Sequence, residues 1–182
     1  MKKIIEIPNQ NLRKVSKPVT KVDKKFIKFV AEIEETLDKK RNPRGVGLAA
    51  PQVDSPQRVF VLNVDKLQTY INPKIVKTSE NTTFGPDPED PIMEGCLSMP
   101  DLYGPVPRWE WIETEFQTLE NGELISKTAT FKDFEARVFQ HELDHLDGIL
   151  FTDYALDFDI PVYREYKKDK YQEVDVAMLE LF

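Results

Sequence analysis

Histidine and cysteine are scarce in this chain: 182 residues contain two histidines and one cysteine. A lone thiol, Cys96, has no internal partner, which excludes a disulfide-stapled fold and fits a reducing cytoplasm. Positive charge is in deficit. The net charge is -7 and the lysines are spread rather than clustered, so nucleic acid is not expected as the main partner. No apolar run reaches the length of a membrane span. Met1-Lys2-Lys3-Ile4-Ile5 contains no signal-peptide core, so export is not expected. What is present is 40% hydrophobic and 31% charged, the make-up of a soluble globular protein. At this length the expectation is one catalytic domain over residues 1–182 with a real core. No internal repeat, linker or low-complexity stretch divides it.

Both histidines fall in one short stretch, His141-Glu142-Leu143-Asp144-His145. Four residues is about one helical turn. The two imidazoles would therefore stack on one helix face with room for an ion between them. Glu142 follows the first and can lean toward a water on that ion, the geometry of a zinc hydrolase helix. Two histidines scattered at random would stand four apart roughly once in a hundred times, and with a following Glu roughly once in a thousand.

In chain order, residues 1–20 read as an extended arm. A helix is expected from Thr20 or Asp23, both good N-caps, with Phe26, Val30, Ile33 and Leu37 as its buried stripe. Gly45 to Gln52 holds two glycines and two alanines and reads as a tight turn or close backbone approach, with Gln52 available to aim at a ligand. Residues 58–64 and 70–76 read as strands, the second an edge or bent strand because of Asn72-Pro73. Residues 79–91, with Pro86, Pro88 and Pro91, read as a surface insertion. Residues 109–119 and 123–131 form a hairpin through Asn121-Gly122. The histidine helix follows, capped by Thr130 or Asp133 and ended by Gly148. Phe134 and Val138 extend the histidine stripe, while Phe139, Leu143 and Leu146 mark a second buried face. Residues 155–182 mix charges and aromatics around the helix-breaking Pro161, and their role is unassigned. The expected class is α+β, with mixed, mostly antiparallel strands around a central metal-binding helix and an N-terminal helix.

A catalytic metal needs three protein ligands and an open position. No third histidine exists, so the third ligand is Asp, Glu or Cys. Cys96 lies beside Gly95, which permits close approach, and a thiolate with two imidazoles suits Zn2+ or Fe2+ rather than Mg2+ or Ca2+. Three alternatives stand beside this one: a metallopeptidase cleaving internal bonds, a cysteine hydrolase with Cys96 as nucleophile, and a non-catalytic module with a structural metal.

Three stretches together resemble the motifs of the peptide deformylases: Gly45-Val46-Gly47-Leu48-Ala49-Ala50-Pro51-Gln52, Glu94-Gly95-Cys96-Leu97-Ser98, and His141 through Gly148. They occur in that family's order and at about its spacing, within a resemblance running from Ile4 to Tyr154. The resemblance implies hydrolysis of the N-formyl group from the N-terminal formylmethionine of nascent chains, as a cytoplasmic monomer working near the ribosome. It implies Cys96, His141 and His145 as ligands of Fe2+, with Zn2+, Ni2+ or Co2+ as substitutes. Glu142 would be general base and then general acid while an activated water attacks the formyl carbon. Gln52 and the Leu97 amide would bind the formyl oxygen, and Gly47 the substrate backbone. Glu94 would pair with Arg108 to brace the cysteine loop. An apolar pocket of Val46, Ile92, Phe134 and Val138 is expected to take the methionine side chain. Lys167, Lys168 and Lys170 are interleaved with Asp169, Glu173 and Asp175, unlike the basic C-terminal helix of some bacterial members.

Overall fold

The computed structural model describes residues 1–87 and 89–179; Pro88 of the 79–91 loop and residues 180–182 of the tail lie outside the described residues. In chain order the elements are α1 (Lys24–Lys39), β1 (Gly47–Ala49), β2 (Val59–Asn63), β3 (Leu67–Thr78), β4 (Thr82–Thr83), β5 (Met93–Cys96), β6 (Met99–Pro105), β7 (Arg108–Trp109), β8 (Trp111–Glu120) and β9 (Glu123–Lys132). There follow α2 (Asp133–Leu146), α3 (Phe151–Phe158), β10 (Tyr163–Lys167), β11 (Lys170–Glu173) and α4 (Val176–Leu179). The strands form a five-stranded sheet in the order β1-β2-β3-β8-β9, a four-stranded sheet β11-β10-β6-β5, and the short pair β4-β7. All of these pairings are antiparallel. With the helices packed on the strands, the α+β class holds.

The larger sheet is covered on both faces, which is why β2 is apolar without alternation. Val59 and Val61 point to α1, where Phe26, Phe29, Val30, Ile33 and Leu37 are buried. Asp23 starts that helix by accepting the Phe26 N–H at 2.8 Å, as a good N-cap should. Phe60 and Leu62 point the other way, to Ala136, Val138, Phe139 and Leu146 of α2. Phe139 stacks on Phe131 at 4.9 Å and meets Phe60 edge-on at 4.9 Å. Burying such a ring stabilises by roughly 1.5–3 kcal/mol, so the histidine helix is pinned by its back. The smaller sheet packs Met99, Leu102 and Val106 against Leu150, Phe151 and Ala155 of the α3 region.

Several local expectations are corrected. β3 is bent but central, not an edge. Asn72 takes a left-handed φ of 50° at a bulge between Ile71 and Lys74. Pro73 thus falls where no ladder donor is needed, and the Asn72 side chain ties Val19 and Gln117 across the gap. The glycine-rich stretch is an edge strand leading into a 3-10 turn over Ala50–Val53 rather than a simple turn. Neither Thr130 nor Asp133 caps α2. Thr130 is inside β9, which runs directly into the helix; Lys132 occupies the cap position without a side-chain bond. Gly148 does end α2, at a φ of 74°. The 79–91 segment is tethered rather than a free insertion, because Thr82 and Thr83 pair with Trp109 and Arg108.

Candidate active site

Two sheets and one helix meet at a cleft of about 530 Å³. From α2 come His141 and His145, one turn apart, with ring centroids 5.0 Å apart. From the end of β5 comes Cys96, its Sγ 3.2 Å from His145 Nε2. One donor atom from each of these three residues lies within 4.8 Å of the others. Glu94 Oε2 contacts His141 Nδ1 at 3.0 Å, which leaves Nε2 as the nitrogen facing the cysteine. Ligands held 2.0–2.3 Å from one centre stand about 3–4 Å apart, so one sulfur and two nitrogens this close suit a transition-metal ion.

Charge in the site favours a cation. Burial opposes a proton on His141, yet the Cys96 sulfur and Glu94 outweigh it and hold the imidazole well above its ordinary value. The position between that ring and the sulfur therefore attracts positive charge, which a metal ion would supply. His145 is held well below its ordinary value by burial and then by His141 and Arg108, the neutral form a ligand needs. Burial would raise Glu94, but Arg108 and His141 overcome it and keep the carboxylate ionised far below its usual range.

Glu94 is the hub of a buried network. Arg108 binds it in a fork, Nε to Oε1 at 3.0 Å and Nη2 to Oε2 at 2.9 Å. Arg108 Nη1 also reaches Asp144 at 2.5 Å. Arg137 donates to Glu94 Oε1 at 3.1 Å and to the Val106 and Thr83 carbonyls. Planar guanidinium forks of this kind fix orientation as well as charge.

Gln52 is fixed from its other end. The Ala49 N–H can only donate, so Gln52 Oε1 faces it at 2.8 Å. Nε2 then faces the site, 3.4 Å from Cys96 Sγ and 3.2 Å from Ser98 Oγ. The N-terminal arm ties both loops, with Ile5 N–H on the Gln52 carbonyl and Ile7 N–H on that of Ser98. Glu142 is buried, and its Oε2 has no partner among the described residues. Burial, ahead of the opposing charge of His141, pushes its carboxyl up to about 7.

The sequence profile of the family described as polypeptide deformylase matches residues 1–159. The chain belongs to the polypeptide deformylase family. A peptide deformylase of Pseudothermotoga lettingae is 37% identical over 153 residues, 84% of this chain and 82% of that one. Peptide deformylase 2 of Clostridium acetobutylicum is 40% identical over 148 residues, 81% and 90% of the two chains. The crystal structure of the Thermotoga maritima peptide deformylase superposes with a TM-score of 0.72 at 36% identity, covering 85% of this chain and 97% of that one. The enzyme class is thereby given, and the α+β fold agrees with that of its relatives.

Most of the deformylase residues expected from sequence converge on one cleft. Gly47, Gln52, Cys96, Leu97, His141 and Glu142 line it, as do Val46, Ile92, Phe134 and Val138. His145 is not on the wall but directly behind it, 1% exposed. Phe134 is 45% exposed and so stands at the rim. The pairing of Glu94 with Arg108 is present. Sequence reasoning assigned no role to Arg137, Asp144, Ser98 or Tyr154, although Asp144 and Ser98 stand inside the three motifs. Arg137 lies one turn before His141 on the same helix face, a spacing that would have found it. Tyr154 carries no such signal.

Proposed function

We propose that this enzyme removes the formyl group from N-terminal formylmethionine of new polypeptides, using a divalent ion held by Cys96, His141 and His145. The observation that carries the reading is the convergence of that donor set with a buried Glu142 carboxylate, whose Oε2 has no partner among the described residues, on the lining of a peptide-sized cleft. When bound, Fe2+ or a substitute such as Zn2+ supplies Lewis acidity and lowers the pKa of water.

The chain's own residues do the rest. Glu142 takes a proton from water and returns it to the leaving amine. Gln52 Nε2, locked by Ala49, and the Leu97 N–H offer donors to the formyl oxygen, where negative charge develops. Losing one such donor elsewhere costs about 2.7–4 kcal/mol. Gly47 makes room for the Glu142 side chain and contacts the substrate backbone. Val46, Ile92, Phe134 and Val138 give an apolar seat for the methionine side chain.

One observation favours a second reading, a cysteine hydrolase: the 3.2 Å contact of Cys96 with His145. Against it, His145 Nδ1 has no partner among the described residues, whereas a catalytic base is oriented through its second nitrogen. The test compares formyl-Met-Ala-Ser with unformylated Met-Ala-Ser before and after chelation. Release of formate only from the first, abolished by chelation and restored by metal, is the expected result. Activity surviving full metal removal would establish the cysteine reading, and cleavage of internal bonds would establish a peptidase.

A further inference from the structure

The part of the chain beyond the matched 1–159 region builds one edge of the cleft. β10 pairs with β6, Tyr163 to Tyr103 and Arg164 to Leu102. β11 closes the sheet, with Glu165 opposite Tyr171. On its other side Tyr103 pairs with Gly95. Paired residues share a face, so Tyr103, Glu165 and Tyr171 rise on the face that Gly95 leaves open. The Tyr103 ring fills the space a Gly95 side chain would need, its Cδ1 2.9 Å from where Cβ would stand. Tyr171 meets that ring edge-on at 5.8 Å. Tyr103, Glu165 and the neighbouring Asp101 line the same cleft as Cys96 and Glu142.

Of the charged side chains on this edge, the two that line the cleft, Asp101 and Glu165, are acidic. No ion pair among the described residues includes Asp101 or Glu165, although Lys167, Lys168 and Lys170 stand nearby in the hairpin. Glu165 Oε1 accepts the Asp169 N–H at 2.8 Å, which steadies the carboxylate. Burial, then Glu165, Tyr171 and Asp101 raise the Tyr103 phenol above its ordinary value. The one exposed cation among the lining residues, Arg44, enters from the segment before β1, in the other sheet.

We infer that the C-terminal hairpin selects among substrates, with Glu165 and Asp101 favouring a lysine or arginine within the three residues after formylmethionine. The inference rests on the deformylase reading of the cleft, since it supposes that the substrate chain leaves the site past Gly95 and Tyr103.

Metal-loaded full-length protein is assayed on paired formylmethionyl peptides carrying Lys or Glu at the second, third or fourth position. At low ionic strength the Lys peptide is expected to lead by about fivefold in kcat/KM at one or more positions, carried mainly in KM. The lead should shrink in about 0.5 M salt. Glu165→Gln keeps an oxygen for the Asp169 N–H and should reduce the ratio; Glu165→Lys should invert it. Each ratio is taken within one variant, so a general loss of activity cancels. A ratio of one at all three positions in the unaltered protein, or a ratio that Glu165→Lys does not move, overturns the inference while leaving deformylation standing. Failure to release formate from any formylated peptide overturns both.

Discussion

A methyl group on Gly47 would stand 2.6 Å from Cδ and 2.8 Å from Cγ of Glu142. No rotation of the carboxylate tip relieves a clash that reaches back to Cγ, so the whole Glu142 side chain must move. Gly47→Ala is therefore expected to fold, with a stability cost of about 1 kcal/mol, yet to lose about a hundredfold in kcat/KM from misplacing the base. A near-normal rate in steady-state assays would remove Gly47 from the site. Glu142 itself carries a pH signature. In the metal-free protein its carboxyl rises from an ordinary 4.5 to about 7 because it is buried. The native state thus holds this proton more tightly than the unfolded chain does. Its contribution is full below 4.5 and is lost as pH rises through 7. Glu142→Gln, permanently neutral, should make the metal-free protein more stable than its parent above pH 7, by about 3 kcal/mol, with no gain at pH 4. Urea titrations at the two pH values read this directly. The same variant should keep its metal and lose deformylation by at least about a hundredfold.

Among the elements, α2 shows what could be read in advance and what could not. His141, Glu142 and His145 were legible because helical spacing is a strong constraint and histidine is rare here. Cys96 was legible as the only thiol in the chain. The stripe of α1 declared itself through its period. Asn72-Pro73 misled, because proline argues for an edge and only the neighbouring strand reveals that a bulge absorbs it. The C-terminal hairpin was opaque for a different reason: β11 is exposed along its whole length, so no alternation marks it. The Glu94 network was half legible: Arg108 was paired with Glu94 in advance, while Arg137, although one turn before His141, was passed over. That network makes a sharp prediction. Arg108 is 3% exposed and faces both Glu94 and Asp144. Removing it in Arg108→Met leaves buried Glu94 with Arg137 as its one remaining guanidinium and takes the ion pair from half-buried Asp144, at a cost of about 3–5 kcal/mol. It also loosens the carboxylate that orients His141, which should weaken metal binding about 10–100-fold. Arg58→Ala is the control. It breaks a pair with Asp147 at 2.6 Å whose partner is 41% exposed, and should cost under about 1 kcal/mol. Equal effects in thermal unfolding and metal titration would contradict the bracing role of Arg108.

Taken together, the two sheets are joined where the ligands lie. Cys96 belongs to the four-stranded sheet through β5, and the histidines belong to a helix whose back is sealed against the five-stranded sheet. The two layers also have separate apolar clusters, one around Phe139 and one around Leu102 and Phe151. An ion shared by Cys96, His141 and His145 would therefore be a cross-link between layers as well as a reaction centre. Linkage fixes the consequence: an ion that binds only the folded chain, present at a hundred times its dissociation constant, adds about 2.7 kcal/mol. For a chain of this length each kcal/mol raises Tm by about 2–4 °C, so loading should raise it by about 5–11 °C. Cys96→Ser weakens the sulfur arm of the link and should lose most of that rise, while Leu67→Ala, at the exposed start of β3, should keep it. Calorimetry on chelated and reloaded protein, with metal content measured in each sample, tests the point. If the ion leaves and returns with no change in Tm, the donors are not bridging the layers, and the three side chains meet for some other reason.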